Sequence, residues 1–220
     1  MLKVIIFDFG GVLINLNRQA AVDKLVALGV HDADSLLNNY VQSGLFLDLE
    51  SGVVTSDEFR NKLREDYRLQ HVTDEQIDEA FLAFLLDVPE HKLQLLRKLK
   101  SSARNAAGEP LRIVMLSNTN GIHFPYCIKK HFEYDGYKMS DYFDALYLSY
   151  EMKSSKPDEE IFLKLLEAEQ VKPSECLFFD DGPRNIEAAA RLGFQTHLVL
   201  FNEDLGQIIK NKQVKYQNIL

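Results

Sequence analysis

The sequence predicts an α/β fold, a parallel sheet with helices on its faces, interrupted after its first strand by an all-helical insert. Three observations carry this. Five short runs rich in Val, Ile, Leu and Phe have the composition of strands buried on both faces. Residues 15–88 hold four helical patterns and no convincing strand. From Pro89 onward helices and strands alternate, the arrangement of parallel strands joined by right-handed crossovers.

Val4 to Phe7 is the first strand; it stops at Asp8-Phe9-Gly10-Gly11, where two glycines allow a tight turn. Arg18 to Leu28 sets Ala21, Val22, Leu25 and Val26 at helical spacing, with Gly29 as the stop. Asp32 or Asp34 can cap a second helix through Leu36, Leu37, Tyr40 and Val41, ending near Gly44. Thr55-Ser56-Asp57-Glu58 and Thr73-Asp74-Glu75-Gln76 are capping boxes. They open helices carrying Phe59 and Leu63, and Ile77, Ala80, Phe81 and Phe84. His91 to Leu99 is an amphipathic helix, and Ser101 to Pro110 is a polar loop. Leu111 to Leu116 is the second strand, ending at Ser117-Asn118-Thr119-Asn120. Gly121 to Ser140 is aromatic-rich and fits no pattern better than a broken helix. Ala145 to Leu148 is the third strand, and Pro157 opens the helix through Ile161, Phe162, Leu165 and Leu166. Cys176 to Phe179 is the fourth strand, leading into Asp180-Asp181-Gly182. Pro183 then starts a helix that closes at Gly193, and Thr196 to Phe201 is the fifth strand.

Composition narrows the function. Apolar residues make up 46% and charged residues 26%, a soluble globular balance. The net charge of −8 argues against nucleic acid or an anionic membrane as the main partner. Cys127 and Cys176 have no metal-binding spacing and require no disulfide, so a reducing compartment is expected. The apolar run after Lys3 is too short for a signal peptide, and Ala80 to Leu86 is too short to span a bilayer. A cytoplasmic protein is the expectation; oligomeric state is not legible.

In a parallel sheet, residues just past each strand gather at one edge, where open α/β sheets place their ligands. Asp8, Ser117, Asp180 and Asp181 each follow a strand, and Lys156 precedes the helix after the third. Taken singly, each has a plainer reading: a turn, a helix cap, a solvated lysine. Together they put three carboxylates, a hydroxyl and an ammonium at one edge. Carboxylates ~4 Å apart repel by roughly 4 kcal/mol per pair at an effective dielectric near 20. A divalent cation relieves this, and an all-oxygen donor set suits Mg²⁺. Lys156 and Mg²⁺ could then hold a phosphate.

The segments FDFGGV, LSNTN, KP and FFDDGPRN resemble, in order and spacing, the four motifs of the haloacid dehalogenase-like superfamily. The helical insert resembles that family's C1 cap, and the match spans nearly the whole chain. The first motif, Asp-Xaa-Gly, is most similar to a group that includes glucose 1-phosphate phosphatases. The resemblance implies a Rossmann-like core of residues 1–14 and 89–220 and a cap of residues 15–88. It implies that Asp8 attacks phosphorus to form an aspartyl-phosphate. Asp8, the Gly10 carbonyl and Asp181 would hold Mg²⁺, with Asp180 assisting directly or through water. Ser117 and the amides of Phe9, Gly10 and Asn118 would hold phosphoryl oxygens, and Lys156 would offset charge. The implied substrate is a small phosphorylated metabolite.

One position departs from the pattern. Most phosphatases of the family carry a second Asp two residues after the nucleophile, as general acid and base; here that residue is Gly10. Such help is worth about 10²–10⁴-fold. A sugar 1-phosphate, with its more acidic leaving hydroxyl, would need less of it. Alternatively Asp48, Glu50 or His123 supplies the proton, or the protein binds phosphate and metal with little turnover. A dehalogenase also lacks the second Asp, but its metal-free chemistry does not call for Asp180-Asp181.

Overall fold

The computed structural model describes residues 1–38, 42–133, 135–212 and 214–216. Five parallel strands form one sheet, β1 (Val4–Phe7), β2 (Arg112–Ser117), β3 (Ala145–Leu148), β4 (Cys176–Asp180) and β5 (Gln195–Leu198), in the order β3-β2-β1-β4-β5. The central strand β1 pairs Phe7 with Met115 on one side and Phe179 on the other. Alternation divides the three central strands between two cores. Ile5, Phe7, Ile113, Met115, Leu177 and Phe179 face one, and Val4, Ile6, Val114, Leu116, Cys176 and Phe178 face the other. The free thiols of Cys127 and Cys176 belong to opposite cores, so no disulfide joins them.

Between β1 and β2 lie α1 (Arg18–Leu28), α2 (Ala33–Leu36), α3 (Gly44–Glu50), α4 (Ser56–Tyr67) and α5 (Asp74–Leu82), then α6 (Glu90–Ser102). Both capping boxes are present, Thr55 with Glu58 and Thr73 with Gln76. The sequence expectation of a single helix from Asp32 toward Gly44 is corrected. Helix α2 ends at Leu36, and α3 begins at Gly44; Tyr40 and Val41 lie outside the described residues. The cause is Arg18, whose guanidinium takes the carbonyls of Asp34 and Leu37.

After β2 come α7 (His123–Cys127) and a π-helical turn at Ile128–Phe132, the broken helix the sequence predicted. Phe124, Phe132, Tyr142 and Phe143 from this region are core residues, with Phe132 and Tyr142 packed edge to face at 5.1 Å. Then follow α8 (Ser149–Met152), α9 (Glu159–Glu169), α10 (Pro183–Leu192) and α11 (Leu205–Asn211). Pro157 is not the first helical residue. Asp158 stands before α9, because the Lys156 backbone is pulled toward Asn118 by two hydrogen bonds. Strand β5 stops at Leu198 rather than Phe201, which is 87% exposed. Its partner β4 ends at Asp180 and turns into α10, leaving nothing to pair. Among the described residues no helix is long and apolar enough to cross a membrane.

Candidate active site

Asp8 is fixed by its own strand: its N–H donates to the Phe179 carbonyl at 2.8 Å, so the carboxylate emerges at the sheet edge. Ser117 is the last residue of β2, and Asp180 the last of β4. The chain turns after Asp8 with Gly11 at φ 68°, and a Cβ there would stand 2.0 Å from Asp181 Oδ2. Glycine is therefore what lets the Asp181 carboxylate lie against this turn.

Lys156 sits at the centre and is 2% exposed. Its ammonium donates to Asp8 Oδ1 at 2.8 Å, Asp180 Oδ2 at 2.7 Å and the Leu116 carbonyl at 3.0 Å. Three donors thus meet three acceptors, which is what a buried ammonium requires. Burial depresses its pKa, but the charges of Asp180 and Asp8 outweigh that and hold it up at about 12. The Asn118 side chain bonds the Lys156 backbone twice, at 2.9 Å each way, and so ties the second and third motif loops together.

Both oxygens of Asp180 accept hydrogen bonds. Its Oδ1 accepts from Gly182 N–H at 2.7 Å and Asn185 Nδ2 at 2.9 Å, while its other oxygen holds Lys156. The Phe9 amide, expected to meet a phosphoryl oxygen, instead donates to Asp8 Oδ1 at 2.7 Å. The Gly10 carbonyl accepts from Val12 N–H at 2.7 Å within the turn. Ser117 is buried, with its hydroxyl 3.3 Å from the Asn118 carbonyl.

Carboxylate oxygens of Asp8, Asp180 and Asp181 lie within 4.8 Å of one another. One ammonium faces three acids. Burial pushes Asp8 well up, with Asp180 and Asp181 adding to the rise against the pull of Lys156. Burial and Asp180 push Asp181 up to about 6. A hard divalent cation fits this oxygen cluster and its excess of negative charge.

A cavity of about 70 Å³ opens over these groups. Asp8, Gly10, Ser117, Lys156 and Asp181 form its polar floor; Leu16, Leu37, Phe81 and Phe84 from the helical segment form an apolar wall. The polar side chains that also line it include Gln42, Glu50 and His123. Of the three proton donors considered from sequence, Asp48 does not line the cavity. His123 does, but its Nε2 lies 3.2 Å from the Phe81 carbonyl, its ring packs on Phe81, and burial lowers its pKa to about 4. Glu50, at the end of α3, is buried and its pKa rises to about 8 through burial.

Sequence reasoning missed Ser149 and Lys92. Ser149 is fully buried; its hydroxyl donates to the Glu50 carbonyl at 2.6 Å and accepts from Thr119 N–H at 2.9 Å. Its signal was available, since it directly follows β3 as Asp8 follows β1. Lys92 donates to the Val12 carbonyl at 2.6 Å and steadies the turn after β1; it lies in the first turn of α6 and has no local signature.

Known proteins resemble this chain over most of its length. The chain is 39% identical over 196 residues to a D-ribitol-5-phosphate phosphatase from Bacteroides thetaiotaomicron, covering 89% of this chain and 91% of that protein. A HAD family enzyme from the same organism, solved with magnesium and inorganic phosphate, superposes with a TM-score of 0.84 at 37% identity. That match covers 94% of this chain and 99% of the other. A HAD-like hydrolase from Porphyromonas gingivalis aligns with a TM-score of 0.85 at 36% identity, over 96% of this chain and 97% of that one. With the haloacid dehalogenase-like hydrolase model matching residues 2–193, the chain belongs to that family.

Proposed function

We propose that this protein hydrolyses a small phosphorylated sugar or polyol with Mg²⁺, through an aspartyl-phosphate on Asp8. The observation that carries the reading is the convergence of Asp8, Asp180 and Asp181 oxygens beside the Lys156 ammonium, at the floor of a small cavity. Asp8, Asp181 and the Gly10 carbonyl would hold the ion, which when bound supplies positive charge to the transferring group. Asp180 keeps Lys156 in place and would assist in holding the ion, directly or through water. Lys156 draws Asp8 toward its ionised form, the form that attacks phosphorus. Ser117 and the Asn118 amide receive phosphoryl oxygens. Residues 15–88 act as a cap whose Leu16, Leu37, Phe81 and Phe84 exclude water.

Two substrate classes remain in play. The glycine at position 10 favours a sugar 1-phosphate, whose leaving hydroxyl is acidic. The related D-ribitol-5-phosphate phosphatase favours an ester of a terminal alcohol. Phosphate release should be measured from both classes, with Mg²⁺ and with chelator. Activity is expected with Mg²⁺ alone, and turnover that persists in chelator contradicts the metal role. Replacing Asp8 by Asn should abolish turnover; a parent protein that binds phosphate with Mg²⁺ but never turns over would instead be a binding protein.

A further inference from the structure

We infer that Glu50, carried by α3, is the acid and base for the leaving alcohol and the attacking water, in place of the carboxylate absent at Gly10. The inference rests on the phosphoryl-transfer reading above. Glu50 is 6% exposed and lines the cavity that holds Asp8, yet its Oε1 has no hydrogen-bond partner among the described residues. A buried carboxyl oxygen left unpaired is costly in a folded protein and calls for a ligand group to complete it. The side chain does not dangle from a loose element. Ser149 bonds the Glu50 carbonyl, and the next turn is pressed so closely on α8 that a Cβ at Gly52 would meet the Tyr150 carbonyl at 2.1 Å. At position 10 itself, a Cβ would stand 3.3 Å from Leu16 Cδ1, so an apolar side chain occupies the neighbouring space.

Protonation suits the role. The Asn118 and Gln42 amides and the Lys156 ammonium only partly offset burial, leaving Glu50 at about 8 and thus mostly protonated at neutral pH. The same cavity is lined by the Asp8 and Asp181 carboxylates and the neutral ring of His123. In the first step an Asp8 oxygen bonds to phosphorus as the ester P–O bond breaks, and the Glu50 proton passes to the departing alkoxide. The Glu50 carboxylate then takes a proton from water as that oxygen bonds to phosphorus and the bond from the Asp8 oxygen to phosphorus breaks. Asp8 and inorganic phosphate are released, and Glu50 is protonated again.

The test compares an alkyl ester, a polyol phosphate, with an aryl ester, p-nitrophenyl phosphate, whose leaving group needs no proton. Glu50→Gln should lower kcat on the alkyl ester about 10²–10⁴-fold. On the aryl ester it should release a burst of nitrophenolate at the parent's rate, one per site, before slow turnover. In the parent, kcat/KM for the alkyl ester should fall above about pH 8, the range in which Glu50 loses its proton, while the aryl burst does not. This arm needs no variant. Full alkyl turnover by Glu50→Gln, equal loss of its aryl burst, or coincident pH profiles in the parent would each overturn the inference. Asp8→Asn separates the two readings: if it retains turnover, the aspartyl-phosphate reading fails whatever Glu50 does.

Discussion

Lys156 carries a full charge with almost no exposed surface, and only the partners at its three donors make that tolerable. Removing one member of such a set strands the others. Lys156→Met, close in shape but uncharged, should therefore destabilise the protein by ~3–5 kcal/mol in chelator, visible as a lower urea midpoint. An unchanged midpoint would show that Asp8 and Asp180 do not depend on the ammonium. Glu50 makes the opposite statement. A carboxyl whose pKa rises from 4.5 to about 8 on folding stabilises most when protonated in both states. Its contribution is complete below pH 4.5 and fades as pH rises through 8, by up to ~5 kcal/mol in total. Glu50→Gln should therefore lose less stability than the parent between pH 5 and 8. Denaturant titrations across that range check it, and parallel curves would place Glu50 in a wetter setting.

Each strand end works as an element because the turn after it has one allowed shape. The turn after β1 is the sharpest case. Gly11→Ala would force a methyl into Asp181 Oδ2 at a backbone angle that side chains rarely adopt. The expected result is Mg²⁺ affinity weakened ~10-fold or more by calorimetry; unaltered affinity would remove Asp181 from the ion's ligands. Strands and capping boxes were legible because their signals are local: β-branched runs such as Val4–Phe7, and Thr55 and Thr73 three residues before Glu58 and Gln76. The misses came from distant partners. Arg18 ends α2 by taking its carbonyls, Asn118 pulls Lys156 out of α9, and β5 stops where β4 stops. No window of neighbouring residues contains those partners. Likewise the site's charged residues could be read from strand ends. The choice among Asp48, Glu50 and His123 could not, because it depends on which face α3 and α7 turn to the cavity.

At the scale of the whole molecule, the helical segment and the sheet share one continuous core. Phe46, Phe59 and Phe81 pack within 5.2–5.7 Å of one another, and Phe81 packs on His123 across the cavity rim. Ligands that bind the floor should therefore be felt by the entire fold. The site has three acids and one ammonium, so a phosphate dianion alone meets net repulsion, while a cation bound first reverses the sign. Phosphate and Mg²⁺ should accordingly bind with positive coupling, each raising the other's affinity by the same factor. With both at about 100 times their dissociation constants, stabilisation should reach ~2.7 kcal/mol or more, a rise in Tm of roughly 5–10 °C for a chain of this size. Phosphate in chelator should leave Tm nearly unchanged. An equal rise with phosphate in chelator would mean that Lys156 and the loop amides suffice to bind the anion, and that the acid cluster is neutralised by protons rather than by an ion.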